Sequence, residues 1–503
     1  MQVSASITDD PDKLKTIISE QQKEINLLRA QLQLLRHQRF GATSEKISPD
    51  QLPLFSTDPE DYKNALEKES IDIEVRSHKR KPKRRLGFAD NLPVERVELD
   101  LPEEEKTCSC CNTPLTKIGE ESTKQVEYVP ASVKVKDYIR FKYACKHCEG
   151  TVKRAALPPQ LIPKSFATAS LIAYLIVSKY VDHLPLYRIE KQFERLGIYL
   201  PRSTMCDWLM AVAVKLFPLI EAMQKIILNG PRIWTDDTII PLQNDDPLRK
   251  TVKQARLWVY IGGPLKDPPL VVYDYTRTRS QQGPHAFLEG YEGFLQADAY
   301  SGYQGLYESG NIIEVACMAH CRRKFYEAAI ATQGNSRAHY ALMQIRKIYQ
   351  VEWACKDMQD AQRKAYRMEY AKPILDNFKV WAENQVDAVL PKSPLGKALF
   401  YMLNHWSALN RYLDEGFLKP DNNKAEQHIR PIALGRKNYL FVGSDRGGNA
   451  AATYYSLVET CKNYNINPLV YFMDVLTRLP DCKTEEDVQQ LIPSNWLKNS
   501  LGR

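Results

Sequence analysis

A chain of 503 residues with 69 Lys and Arg against 61 Asp and Glu, formal net charge +8, is too long for one hydrophobic core and is expected to divide into several domains. No apolar run approaches the ~20 residues that a bilayer span requires, and the start MQVSASITDDPDK lacks the basic and apolar regions of a signal peptide, so a cytoplasmic protein without membrane partners is expected. The basic excess favours polyanions only modestly, and eleven cysteines in such a compartment point to metal binding or buried thiols rather than disulfides.

The first element is a helix. Leu14, Ile18, Ile25, Leu28, Leu32 and Leu35 occupy a and d positions of three heptads between Lys13 and about Arg39, with Gln21 as the polar exception. A coiled coil joining copies of the chain is expected over 1–46; an amphipathic helix docked on its own chain fits the same pattern. Residues 47–103, rich in proline and charge, read as a linker. Within it RSHKRKPKRR (76–85) has seven Lys or Arg and no acid. Lys79, Arg80, Lys81, Lys83, Arg84 and Arg85 therefore form either a solvated run or a basic arm that lies along phosphates.

Cys108-x2-Cys111 and Cys145-x2-Cys148 flank a strand-like stretch, 124–144, and describe a closed four-thiolate zinc ribbon over 104–152. Cys110 and His147 are the awkward extra ligands. A ribbon this small has little core, so Zn2+ should supply its folding energy. Residues 153–230 read as helical. In RIEKQFERLGIYLPRSTMCDWLMAVAV (188–214) the order is helix, turn at Gly197, cap at Ser203, helix. That suits helix-turn-helix docking in a major groove, and equally a helical support packed between the ribbon and the next domain.

Acids then intrude on strand-like runs, in IWTDDTIIPL (233–242) and GFLQADAYSGY (293–303), where strand propensity would rather have apolar residues. Alternation sends Asp236 and Asp237 to opposite faces, so one of the pair can join Asp298. ACMAHCRRKF (316–325) comes after another strand-like run and places Arg322, Arg323 and Lys324 beside His320 as candidates for phosphate contact. Cys317, His320 and Cys321 crowd one turn with no fourth ligand, which argues against a metal site. Residues of about 325–415 have helical periodicity. In DNNKAEQHIRPIALGRKNYLFVGSDRGG (421–448), Asp421 and Asn422 are cap residues and Pro431 is expected to end a short helix near 430. Glu426 sits at its positive end with Arg430 one turn on and Arg436 and Lys437 beyond. A surface Glu–Arg pair explains Glu426 alone; together with Asp236 and Asp298 it would complete an oxygen set for two hard cations about 4 Å apart around a phosphate.

The segments WTDDT (234–238), LQADAYSGY (295–303), ACMAHCRRKF (316–325), DNNKAEQHIRPIALGRKNYLFVGSD (421–445) and YSLVETCKNYNINPLVYFMDVLTRLP (455–480) occur in the order found in transposases of the insertion sequence 66 family, which the chain resembles from about residue 10 to 480. The resemblance implies a multidomain α/β protein. Its catalytic domain, 231–450, would be ribonuclease H-like, a mixed sheet with flanking helices and a helical insertion at about 325–415, followed by a C-terminal helical segment, 451–503. It further implies an Asp-Asp-Glu triad at Asp236, Asp298 and Glu426 that holds two Mg2+ or Mn2+, in an enzyme that binds element ends, cleaves DNA and joins the 3′-OH end to target DNA. The family usually has Asp-Glu-Thr where this chain has Asp236-Asp237-Thr238, and Gly where Ala299 stands; Asp236 is the favoured ligand. A homo-oligomer, two small accessory proteins of the same element and a nucleoid-associated location in a bacterium are implied as well. A zinc-dependent DNA-binding regulator that has lost catalysis and a hydrolytic nuclease of the same fold are the competing readings.

Overall fold

The computed structural model describes residues 11–40, 132–144, 152–243, 252–331 and 336–501. The basic run 79–85 and the four thiols Cys108, Cys111, Cys145 and Cys148 lie outside the described residues. Contacts divide the chain into two units, and the helices and strands described belong to the one made of Met1–Ser70 and Tyr138–Arg503.

Helix α1, Pro11–Phe40, spans the expected heptads. The a/d stripe faces outward: Ile18, Ile25, Leu28, Leu32 and Leu35 are all exposed, Leu28 by 56%. A second flank, Leu27, Ala30 and Leu34, is half-buried, and the helix touches the helix Met318–Ala331 of the same chain. One face of α1 is therefore docked on its own chain while the heptad stripe is left uncovered. Strands β1, Lys142–Ala144, and β2, Val152–Arg154, pair antiparallel on either side of the second Cys-x2-Cys knuckle.

Three helices come next, α2 Ala169–Tyr180, α3 Leu186–Arg195 and α4 Arg202–Leu228. The turn between α3 and α4 falls at Gly197, whose φ of +80° is one that residues with a β-carbon rarely adopt. Ser203 is not the cap expected of it: α4 starts one residue earlier, with Pro201 as the N-cap and no side-chain cap bond. Met205, Trp208, Leu209, Val212 and Leu216 of α4 are buried, so most of this helix faces the core.

The sheet has five strands in the order β5-β4-β3-β6-β7: β3 Arg232–Gln243, β4 Val252–Gly262, β5 Leu270–Thr276, β6 Gly293–Ala297 and β7 Ile312–Ala316. The first three form an antiparallel meander, and β6 and β7 add in parallel on the other side of β3. Helix α5, Gln282–Phe287, connects β5 to β6, and a 3-10 turn, Ser301–Tyr303, with α6, Gln304–Tyr307, connects β6 to β7.

Helices α7 Met318–Ala331, α8 Ser336–Ala354, α9 Asp360–Val386, α10 Pro394–Asn404 and α11 Trp406–Asn410 follow β7, in keeping with the helical periodicity at about 325–415. They enclose a second hydrophobic core around Phe325, Ile345, Phe378 and Leu399, which reaches Val315 and Ala316 of β7. The chain returns to the sheet with α12 Asn423–Tyr439 and continues through α13 Asp445–Asn463, α14 Pro468–Arg478, α15 Glu485–Gln489 and α16 Pro493–Leu501. The main core joins α2–α4, the sheet and the helices after 445, so sequence boundaries at 230 and 450 run through one continuous interior. No helix among the described residues is long and apolar enough to cross a membrane.

Helix α13 is buried on nearly every side because it covers the edge strand β5. The backbone N–H groups of Val271 and Tyr273 donate to Thr460 Oγ1 (2.9 Å) and Ser456 Oγ (2.8 Å), so hydroxyls complete hydrogen bonding that a sixth strand would otherwise supply. At its start a β-carbon on Gly448 would collide with the Tyr275 ring, so only glycine permits this approach.

Candidate active site

Asp236 lies in mid-strand on β3, and Asp298 is the residue after β6. The parallel register pairs Arg232 with Phe294 and Trp234 with Gln296. That pairing ends two residues short of both acids, which nevertheless lie near enough for the Asp298 charge to act on Asp236. Asp237 is held by two guanidinium groups, Arg256 Nη1 reaching its Oδ2 at 2.9 Å and Arg279 Nη2 its Oδ1 at 2.7 Å. The two adjacent acids have different electrostatics. Asp237 is surrounded by guanidinium groups, whereas Asp236 is pushed up to about 8 by burial and next by the Asp298 carboxylate, against the pull of the Asp237 N–H at 2.8 Å.

Helix α12 carries Glu426 in its first turn and is fastened to β3 at both ends. Asn422 Nδ2 donates to the Thr235 carbonyl at 2.8 Å; after the helix, the Val442 N–H donates to Pro241 O (2.8 Å) and Gln243 N–H to Val442 O (2.9 Å). The Asn422 N–H also donates to Cys317 Sγ at 3.2 Å, and the Met318 N–H to Pro420 O at 2.8 Å, which binds the start of α12 to the β7–α7 junction. Pro431 does not end the helix as expected; α12 runs eight residues past it. The lost backbone bond, about 3 kcal/mol in an isolated helix, is offset here by burial of Ala425, His428, Ile432 and Gly435 against the sheet.

Glu426 Oε1 faces His320 Nε2 at 3.8 Å and Arg323 Nη2 at 3.9 Å, both on α7. Burial raises the Glu426 carboxyl, Arg323 and Arg430 hold it back, and Asp298 adds to the rise. Burial, then Arg323 and Lys324, push the His320 imidazole down to about 4, so it is neutral near pH 7. Asp298 is raised by burial and held back by Arg279, whose Nη2 stands 3.6 Å from its Oδ2. Asp236, Asp298 and Glu426 thus feel one another's charge. Among the described residues no three His, Cys, Asp or Glu side chains stand close enough to hold an ion as placed; the two outer acids each face a guanidinium. The donor set nonetheless suits a hard divalent cation, since buried carboxylates that raise one another's proton affinity are relieved by positive charge.

The remaining candidates divide. Arg323 and Arg430 join the acid cluster. Lys324 lies over the Tyr401 ring at 4.6 Å and Arg322 over Tyr326 at 5.8 Å. Arg436 turns inward, donating to Ile239 O (2.7 Å) and Thr238 Oγ1 (3.2 Å), so it clamps α12 to β3. Lys437 is exposed, one position along the helix. Cys317 and Cys321 are buried thiols; burial, the largest cause, pushes Cys317 up to about 12 and raises Cys321 further. Sequence reading missed Arg256 and Arg279. Arg256 was hidden in a strand and Arg279 in a loop, TRTRS, with no pattern that singles it out.

Residues 164–450 match the family model described as "Transposase IS66 family", more than half of the chain. The chain belongs to the IS66 transposase family. Further IS66 models match residues 105–149, "zinc-finger binding domain of transposase IS66", and 456–494, "IS66 C-terminal element", and "Transposase C of IS166 homeodomain" matches 27–97. Among similar proteins of Sinorhizobium fredii, uncharacterized protein y4jD is 32% identical over 493 residues, covering 95% of this chain and 96% of its own. Uncharacterized proteins y4qI and y4hP are 30% and 29% identical, covering 97% and 95% of this chain and 92% and 89% of theirs. This IS66 protein is therefore an insertion-sequence transposase by family, a class of DNA-cutting and joining enzymes that work on DNA with divalent metal, and it carries the IS66 zinc-binding region.

Proposed function

We propose that this IS66 transposase cuts DNA at element ends and joins the freed 3′-OH to target DNA at a site made of Asp236, Asp298 and Glu426. The observation that supports the reading is that the charges of Asp298 and Glu426 both act on the buried Asp236, with the parallel strands β3 and β6 side by side and the Glu426 helix fastened across β3. The sheet order, a three-strand meander extended by two parallel strands, supports a ribonuclease H-like core. Bound Mg2+ or Mn2+, two per site, would supply the positive charge that makes a water or 3′-OH nucleophilic and stabilises the leaving oxygen. The protein's part is positional. β3 and β6 hold two carboxylates rigidly, α12 brings the third, and Arg323 and Arg430 place positive charge beside them for phosphate.

Around this site we assign the remaining roles in the same spirit. Cys108, Cys111, Cys145 and Cys148 would hold structural Zn2+. The basic arm 79–85 and the outward face of α3, with Arg188, Lys191 and Arg195 exposed, would contact DNA backbone. Two small accessory proteins and a bacterial cytoplasmic, nucleoid-associated location complete the proposal. The exposed heptad stripe of α1 would join copies of the chain. Ile25→Asp with Leu32→Asp is expected to halve the solution mass measured by sedimentation; an unchanged mass removes α1 as the joining surface.

Labelled element-end DNA, a target plasmid and Mg2+ test the central claim, with Asp298→Asn as control. Joined product from the wild type and at least about a thousandfold less from the variant is the expected result. Binding without cutting would favour the regulator, and cutting without joining the nuclease. Full activity in Asp298→Asn would refute the triad.

A further inference from the structure

We infer that Arg279 receives a DNA phosphate beside the acid pair, an inference that rests on the proposed strand-joining site. Arg279 comes after β5 in the loop toward α5, a position the triad does not explain. Its Nε donates to Asp237 Oδ1 at 2.8 Å and its Nη2 stands 2.7 Å from the same oxygen, while Arg256 takes Oδ2 at 2.9 Å. One buried carboxylate thus anchors two guanidinium groups, and this trio carries a net charge of +1.

That surplus is aimed. Arg279 Nη2 stands 3.6 Å from Asp298 Oδ2, and the guanidinium is held over the Tyr300 ring, 4.0 Å from its centroid. The Tyr300 hydroxyl donates to the Arg279 carbonyl, and Gly302 makes room for the ring, since a β-carbon there would collide with it. Trp258 and Tyr303 wall the other sides of Tyr300, at 6.0 and 5.6 Å. About a third of the Arg279 side chain remains exposed, and among the described residues no protein bond to Nη1 accompanies the Nε bond and the Nη2 ion pairs.

A guanidinium so fixed meets the requirement for phosphate recognition. Its rotamer is set in advance by the Asp237 anchor and the Tyr300 platform, so little side-chain entropy is lost on contact. A surface arginine paired with one acid would have neither the net charge nor the orientation. The ligand is the sugar–phosphate backbone of the strand whose phosphodiester approaches Asp236 and Asp298, read by charge and not by base.

The test is the salt dependence of binding to labelled element-end DNA in Ca2+. Arg279→Gln is expected to weaken binding about tenfold at moderate salt and to lower the slope of log Kd against log[salt] by about 0.9, one phosphate contact, while Arg279→Lys restores the slope. Loss of a merely structural arginine would lower the melting temperature without changing that slope. Methylphosphonate substitution of phosphates next to the joining position gives a second measurement: one position should weaken the wild type and leave Arg279→Gln indifferent. An unchanged slope in Arg279→Gln, or equal sensitivity of both proteins at every position, overturns the assignment. A wild type that binds the ends and joins them while Arg279→Gln behaves identically defeats this inference alone; a wild type that never joins defeats the site beneath it.

Discussion

Asp236→Asn is expected to abolish strand joining and, in the same molecule, to stabilise the fold. The loss arises from removing a carboxylate of the proposed metal set, at least about a thousandfold or about 4 kcal/mol in the barrier. The gain arises from where the acid sits. Burial first, and Asp298 second, raise Asp236 to about 8, whereas an unfolded Asp titrates near ~3.9. Between those values the folded chain retains a proton that the unfolded chain has released. Its contribution to stability is fully present below pH ~4, falls as pH rises toward about 8, and is flat above. Asparagine has no such dependence. Wild type and variant should therefore melt alike near pH 4.5 and diverge toward pH 8, where the variant gains at most on the order of 5 kcal/mol, several degrees in Tm. Mn2+ should raise the wild-type Tm and leave the variant unmoved, because a cation that binds only the folded site stabilises it by mass action. Equal melting curves across that pH range would show that Asp236 is not the strained acid of the pair.

How much of this is legible in the sequence depends on whether local residues or distant contacts decide each feature. The acids of β3 and β6 stand out because a carboxylate within a β-branched run contradicts strand propensity. The α1 heptads and the Gly197 turn are equally legible, since period and φ are local properties. Pro431 misleads because its local cost is outweighed by the sheet beneath α12, which no window of sequence contains. Arg436 reads as a phosphate ligand from its charge; its bonds to Thr238 and Ile239 cross 198 and 197 residues of chain. Separation along the chain also hides the pairing of Asp237 with Arg256 and Arg279.

Arg367→Ala is expected to be the most destabilising single change in the insertion and to silence strand joining without touching an acid. Arg367 on α9 is fully buried. It donates through Nε and Nη2 to both oxygens of Glu352 on α8, at 2.6 and 2.7 Å, and to three backbone carbonyls, Tyr412 (2.8 Å), Glu415 (3.1 Å) and Leu418 (3.0 Å). Alanine would leave a nearly buried carboxylate without its partner and three acceptors unmade. Breaking a buried pair in this way costs about 3–5 kcal/mol, and the orphaned carbonyls add to it. The consequence travels along the chain. Leu418 precedes Pro420, whose carbonyl holds the Met318 N–H, and Asn422, which bonds β3 at the start of the Glu426 helix. Freeing 412–418 loosens the near end of α12, and a carboxylate displaced by about 1 Å is enough to cost about a hundredfold in rate. Hydrogen exchange should show faster exchange over α8, α9 and 411–422 with the sheet strands protected as before. Wild-type exchange over 418–426, or joining activity retained in a variant shown to be destabilised, would mean that the insertion does not support the Glu426 helix.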